Sequence, residues 1–290
     1  MKMNKNMNIV IVGLGLLGGS YAKALKKQGF SVSAITKEQA DIDYAVKNGI
    51  IDFGSVQPDS SIIGNADLIV FALYPNVFVD WIKENGSLIK DGAIITDVTG
   101  VKGEVVGKIQ DVLGDRVEFI SAHPMAGREV SGVQNSDDTI FKNANYIVVP
   151  TELNTKEAIE LCRDLGRTLG FSRIATLTVS EHDEMIAFLS QLTHCIAVSL
   201  MCCNGDEKIV EYTGDSFRDL TRIARINDEM WSELFLKNKD ALLKQMDIFT
   251  NEFARLREAL ANNDRETMRQ MMRCSTERRA AFDRKGETNL

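Results

Sequence analysis

No proline occurs after Pro150; all four (Pro58, Pro75, Pro124, Pro150) lie at or before that position. The later part of the chain therefore lacks the residue that most sharply breaks a helix, and is free to form long ones. Histidine is scarce too, with only His123, His182 and His194. The five cysteines (Cys162, Cys195, Cys202, Cys203, Cys274) are odd in number and contain no C-x-x-C pair. That excludes a disulfide frame and a zinc site, and points to reduced thiols in a cytoplasmic setting. No apolar run approaches the ~20 residues that a membrane helix requires, so no membrane partner is expected. The start of the chain carries two lysines but leads straight into an apolar strand, which is not the layout of a signal peptide. A net charge of −7 argues against a nucleic-acid partner. Internal repeats and low-complexity segments are missing as well.

What remains is ordinary soluble-protein composition, 44% hydrophobic and 26% charged over 290 residues, enough for two domains. The most informative stretch comes first. Ile9 to Val12 is a run of β-branched residues, read as a buried parallel strand, and Gly13, Gly15 and Gly18 follow in G-x-G-x-x-G spacing before a helical segment. Such a loop lets a pyrophosphate approach the backbone at a helix N-terminus, where Leu16 and Leu17 present their N–H groups. Further strands are predicted at 31–35, 67–72, 93–96, 117–122, 146–149 and 173–177, alternating with amphipathic helices such as 78–89 and 102–112. That pattern is a doubly wound Rossmann-type α/β sheet, expected over 1–178.

From 179 to 290 the chain reads as all helix, an expected substrate-binding and dimerisation domain. Ser180 and Asp183 have capping-box spacing, and Leu242, Met246, Phe249, Phe253, Leu256 and Leu260 form a seam suited to a partner helix. The seam suits packing within one subunit as well as a homodimer. Arginines between 265 and 284 alternate with acidic residues and read as a solvated face.

Ligands of such sheets bind at the strands' carboxyl ends, where Leu73, Tyr74, Asp97 and His123 fall. The acidic residue expected after the second strand for NAD is replaced by Thr36 and Lys37. A hydroxyl and an ammonium suit a 2′-phosphate, a slight lean toward NADP, unless Glu38 or Asp41 serves from a shifted loop. The candidate cofactor set is thus Gly13, Gly15, Leu16, Leu17, Gly18, Thr36, Lys37, Leu73, Tyr74 and Asp97. His123 is the candidate catalytic group, since a pKa of about 6.5 lets an imidazole take a proton at neutral pH.

The motif His123-Pro-Met-Ala-Gly127, with Glu129 and Ser131-Gly132, and the glycine loop resemble the prephenate/arogenate dehydrogenase family of tyrosine biosynthesis. The resemblance continues through Asp97 to Lys102, Ser190-Gln-Leu-Thr-His194, Phe217-Arg-Asp-Leu-Thr-Arg-Ile-Ala224, Met230-Trp231 and Asn238-Lys239. It implies an oxidative decarboxylation: hydride leaves C4 of a cyclohexadienol for the nicotinamide, and the ring loses carbon dioxide as it aromatises. It further implies that His123 accepts the C4 hydroxyl proton, that Arg222 holds the substrate carboxylate, that His194 binds substrate, and that Glu129 belongs to a gating network with Arg222.

Two positions depart from the family. It often has Gly-Ser-Val-Lys where this chain has Thr99-Gly-Val-Lys102, so Thr99 is the candidate substitute for a missing serine. Its Ser-His-Leu-Pro-His has Gln191 and Thr193 here, which leaves the local helix kink open. His182 lies twelve residues before His194, about 120° away around an α-helix at ~100° per residue, and is expected to serve elsewhere. Prephenate is the first substrate reading and arogenate the alternative. A generic β-hydroxyacid dehydrogenase would want a lysine between Ser180 and Glu207, and none is present.

Overall fold

The computed structural model describes residues 2–282. Its main sheet has six parallel strands: β1 (Asn8–Val12), β2 (Ser31–Ile35), β3 (Phe53–Ser55), β4 (Leu68–Phe71), β5 (Ile94–Asp97) and β6 (Glu118–Phe119). Their order is β3-β2-β1-β4-β5-β6. They are joined by α1 (Leu16–Lys27), α2 (Gln39–Lys47), α3 (Ser60–Ile63), α4 (Pro75–Asn85) and α5 (Gly103–Leu113). The order reverses between β1 and β4, which opens a crevice at the carboxyl ends, the usual dinucleotide position. β1 shows why the sheet is buried on both faces. Ile9 and Ile11 enter one apolar core with Tyr21 and Leu25, while Val10 and Val12 enter a second with Phe71 and Phe78. The Rossmann-type expectation holds, with β3 as an addition; three residues with one apolar side chain give no periodicity to read.

The expected strand at 117–122 does not stay in one sheet. It divides after Phe119, and β7 (Ser121–Pro124) pairs antiparallel with β8 (Asn145–Val149), which pairs parallel with β9 (Arg173–Thr176). The last ladder bond to β5 runs from Ile120 N–H to the Ile95 carbonyl, at 3.0 Å. Beyond it the carboxylate of Asp97 accepts the Ala122 N–H at 3.0 Å and the Ser121 hydroxyl at 2.7 Å. A side chain thus replaces the next rung and releases the strand to bend. α6 (Lys156–Leu169), capped by Thr155, connects β8 to β9.

The remaining helices are α7 (Val179–Ile186), a π-helical segment at 187–192, α8 (Thr193–Cys202), α9 (Asp215–Thr221), α10 (Asp228–Lys237), α11 (Lys239–Ala261) and α12 (Arg265–Ala280). The capping box on α7 is formed by Thr178 and Glu181, whose carboxylate accepts the Thr178 N–H, and not by Ser180 and Asp183. Asp183 is turned inward instead. One compact unit ends at Lys239 and a second begins at Asp240. Asp183 fastens α7 to the start of α5 through two backbone N–H groups. Of the alternating charges expected at 265–284, Arg284 lies outside the described residues.

Among the described residues one continuous helix, Val179–Cys202, is long and apolar enough to cross a membrane by length and composition. This corrects the sequence reading, which counted only uninterrupted apolar runs. Buried polar partners argue for packing within protein: Gln191 donates to the Leu234 carbonyl at 3.0 Å, and its amide oxygen accepts from Asn238 at 2.8 Å.

Candidate active site

The glycine loop has the geometry that a bound dinucleotide needs. Gly13 has φ +95°, and a Cβ there would meet the Ala72 carbonyl oxygen at 2.4 Å; at Gly18 it would meet the Gly13 oxygen at 1.9 Å. These two glycines are required by the fold itself. At Gly15 nothing lies within 4 Å of such a Cβ, so its bare backbone faces open space at the start of α1. No side chain caps that helix, so the N–H groups around Leu16 and Leu17 face the same opening. The residues fit a pyrophosphate. Thr36 is half-buried and Lys37 exposed at the end of β2, and Leu73 and Tyr74 follow β4, with the Tyr74 hydroxyl 3.4 Å from Asn227 Nδ2.

Asp97 and Thr99, expected to meet cofactor and substrate, are placed otherwise. Asp97 is wholly buried, and besides Ser121 and Ala122 it takes the Thr99 N–H at 3.1 Å and the Lys102 ammonium at 2.8 Å. The Thr99 hydroxyl also donates to Asp97 and lies 3.1 Å from the Val101 carbonyl oxygen. Both side chains are committed to an internal network rather than to the open crevice. Lys102, wholly buried, reaches the Ala122 carbonyl at 2.6 Å as well. Burial pushes its pKa down against the pull of Asp97. A Cβ at Gly100, where the family's serine falls, would lie 3.9 Å from His123 Cε1.

His123 is half-buried in β7 directly after that network. Its pKa is held well below the usual value, first by burial, then by His182 and Lys102. Its Nδ1 lies 2.9 Å from Nε2 of His182, and Nδ1 of His182 lies 2.7 Å from Asp183 Oδ1. Sequence reasoning set His182 aside by comparing it only with His194 on the same helix. The pairing with His123 crosses 59 positions and two elements. The one legible signal was the adjacent His182-Asp183, an imidazole beside an acceptor.

Arg222 and Glu129, far apart in sequence, are joined by an ion pair of 2.5 Å at the surface. His194 donates from Nδ1 to the Ser190 carbonyl, 2.8 Å away, and its ring stacks on Trp231 with centroids 3.7 Å apart. Burial lowers the His194 pKa. Glu129 and Arg222 both act electrostatically on His194, which places the three side chains in one neighbourhood.

Two family models match nearly the whole chain: the nucleotide-binding domain of prephenate dehydrogenase over residues 21–173 and its dimerization domain over 178–274. The chain belongs to the prephenate dehydrogenase family. The prephenate dehydrogenase of Bacillus subtilis is 30% identical over 267 residues, 90% of this chain and 72% of that one. The cyclohexadienyl dehydrogenase of Zymomonas mobilis is 30% identical over 95% of this chain and 96% of its own. Among solved structures, prephenate dehydrogenase from A. aeolicus, in complex with hydroxyphenyl propionate and NAD+, superposes with a TM-score of 0.88 at 27% identity. That match covers 98% of this chain and 99% of the other. The family members are nicotinamide-dependent oxidoreductases of tyrosine biosynthesis, as the sequence resemblance implies.

Proposed function

We propose that the protein is a prephenate dehydrogenase, converting prephenate to 4-hydroxyphenylpyruvate and carbon dioxide. The observation that carries this reading is a half-buried imidazole, His123, held neutral at the carboxyl edge of a dinucleotide-binding sheet. The bound NAD or NADP supplies the hydride acceptor. The backbone at Gly15, Leu16 and Leu17 would hold its pyrophosphate in the loop that Gly13 and Gly18 shape, Thr36 and Lys37 would hold its ribose end, and Leu73 and Tyr74 would flank it. With no acidic residue at 36 or 37, the 2′-phosphate of NADP meets no repulsion.

His123 accepts the proton of the substrate's ring hydroxyl as that oxygen becomes a ketone-like centre, which removes the positive charge left by hydride loss. Because burial depresses its pKa, the imidazole stays unprotonated and ready at neutral pH. Arg222 engages the substrate carboxylate through the planar fork that matches it, exchanging its bond to Glu129. His194, fixed by Trp231, lines the same pocket. Asp97 and Thr99 act from behind, holding Lys102 and the start of β7.

The 179–290 segment is read as the substrate-binding and homodimerising part. Met246, Phe249, Phe253 and Leu260 are exposed along α11, and Phe188 and Leu189 along the 179–202 helix, apolar surface of the kind that a second copy covers. The five free thiols suit a reducing cytoplasm. Incubation with prephenate or arogenate and each nicotinamide, following reduced cofactor and released carbon dioxide, tests the proposal. Turnover of prephenate supports it; turnover of arogenate alone transfers the reading to the aminated substrate, and turnover of neither rejects it.

A further inference from the structure

The geometry points to His182 and Asp183 as positioning residues that fix the tautomer of His123, through a hydrogen-bonded chain that leaves Nε2 of His123 as its proton-accepting atom. The inference rests on His123 being the base of the proposed reaction. Each link follows from the inventory of donors and acceptors. Asp183 accepts the Lys102 N–H on Oδ1 at 3.0 Å and the Gly103 N–H on Oδ2 at 2.7 Å, at the first turn of α5. Both carboxylate oxygens thus already serve as acceptors, the role a carboxylate has toward any N–H. The 2.7 Å contact with His182 Nδ1 therefore requires the proton on that nitrogen. A neutral imidazole carries one N–H, so Nε2 of His182 holds a lone pair. Its 2.9 Å contact with His123 Nδ1 then requires an N–H there, and the lone pair of His123 falls on Nε2.

Neutrality of both rings follows from their surroundings. His182 is wholly buried, and burial is the main cause that lowers the pKa of each ring. The charged groups acting on the pair are Lys102, Asp97 and Asp183, from β5, the start of α5 and α7. When the substrate O–H bond breaks, the proton forms a new N–H bond at Nε2, and no other bond in the chain changes. The resulting positive ring donates from Nδ1 to the lone pair of His182, whose own N–H points at a carboxylate. The arrangement thus both aims the base and accommodates its charge, where a lone buried imidazole would divide its population between two tautomers.

Nitrogen chemical shifts of the histidine rings in ¹⁵N-labelled, ligand-free protein read the tautomers directly, and steady-state kinetics of the same samples read their consequence. Expected in the native protein are Nδ1–H tautomers for His123 and His182. In His182→Leu the acceptor is lost, His123 should move toward the Nε2–H form, and kcat should fall roughly 10²-fold, the lower end of what general-base help contributes, with substrate KM little changed. His182→Gln offers an amide oxygen to the same N–H, so it should keep the Nδ1–H tautomer and recover at least tenfold of that loss, roughly, if orientation is the issue. An Nε2–H tautomer of His123 in the native protein overturns the inference, whether or not the leucine variant folds. So does a glutamine variant with the native tautomer and no recovery over leucine. Failure of the functional reading shows separately, as native protein that turns over neither prephenate nor arogenate while its tautomers are as described.

Discussion

The ammonium of Lys102 lies 2.8 Å from a carboxylate oxygen of Asp97, and neither side chain has any contact with solvent. The pair holds β5, the start of α5 and β7 at one point, because Asp97 also takes Ser121 and Ala122 while Lys102 takes the Ala122 carbonyl. Removing one partner leaves an uncompensated charge in the interior. Lys102→Met is expected to destabilise the protein by about 3–5 kcal/mol, the range seen when a buried pair loses one member. The urea midpoint measures it. A loss below about 1 kcal/mol would mean that water reaches Asp97 and that the pair is not structural.

Acid should weaken the fold before any carboxylate is protonated. His123, His182 and His194 all have folded pKa values below the ordinary one, chiefly through burial. Between those depressed values and about 6.5 the unfolded chain binds more protons than the folded one. Stability therefore rises with pH across that window, is complete above it, and falls as pH drops from 7 toward 5. The slope is at most about 1.4 kcal/mol per pH unit for each histidine, with His194 contributing less because it is partly exposed. Denaturation at pH 7 and pH 5.5 checks the sign, and His182→Gln should flatten the difference. Equal stability at both values would mean that the rings titrate normally.

The glycine loop was legible because Gly13 and Gly18 answer to local sterics, and the strands because β-branched runs such as Ile9 to Val12 are buried on both faces. The bend after Ile120 was not. Val117 to Ala122 is apolar except for Glu118 and Ser121, with no turn residue to mark a bend, and the group that ends its pairing, Asp97, comes from another strand. For the same reason Asp97 and Thr99 read as ligand-facing by position, though their hydrogen bonds turn them inward. His182 was hidden by a different cause: helix arithmetic ranks residues on one helix, whereas its partner arrives from β7. Tertiary contacts between distant polar side chains leave no periodic trace.

Substrate capture is expected to depend on Arg222. The guanidinium is exposed and engaged with Glu129 alone among the carboxylates described, so Arg222→Ala should leave stability within about 0.5 kcal/mol, as for other surface changes. Substrate KM should rise with little effect on the nicotinamide KM. Glu129→Gln should lower substrate KM or leave it unchanged, since it frees the guanidinium. An Arg222→Ala enzyme with native substrate KM would reduce the residue to a surface ion pair.

Cofactor choice should turn on Lys37. It is exposed at the end of β2, beside a half-buried Thr36, and no acid stands there to repel a 2′-phosphate. NADP should be used at least as well as NAD, and Lys37→Glu should shift the ratio of kcat/KM toward NAD. A native preference for NAD of tenfold or more would sink this reading and favour Glu38 or Asp41 as the ribose partner.

His123→Asn should be the most damaging change to turnover. It keeps a polar group but no base, so kcat should fall by roughly 10²–10⁴, the usual contribution of a general base. Cofactor affinity should stay native, since the glycine loop is untouched. The unperturbed imidazole would place the acid limb of kcat near pH 6.5, but burial, His182 and Lys102 all move it lower. The native rate should therefore be flat from about pH 6.5 to 8 and decline only on the acid side, where the ring becomes protonated and can no longer accept. In His123→Asn the residual rate should lack that decline. A variant within a few-fold of the native rate, with the acid limb still present, would transfer the proton to another acceptor, and His194 is the next group to change.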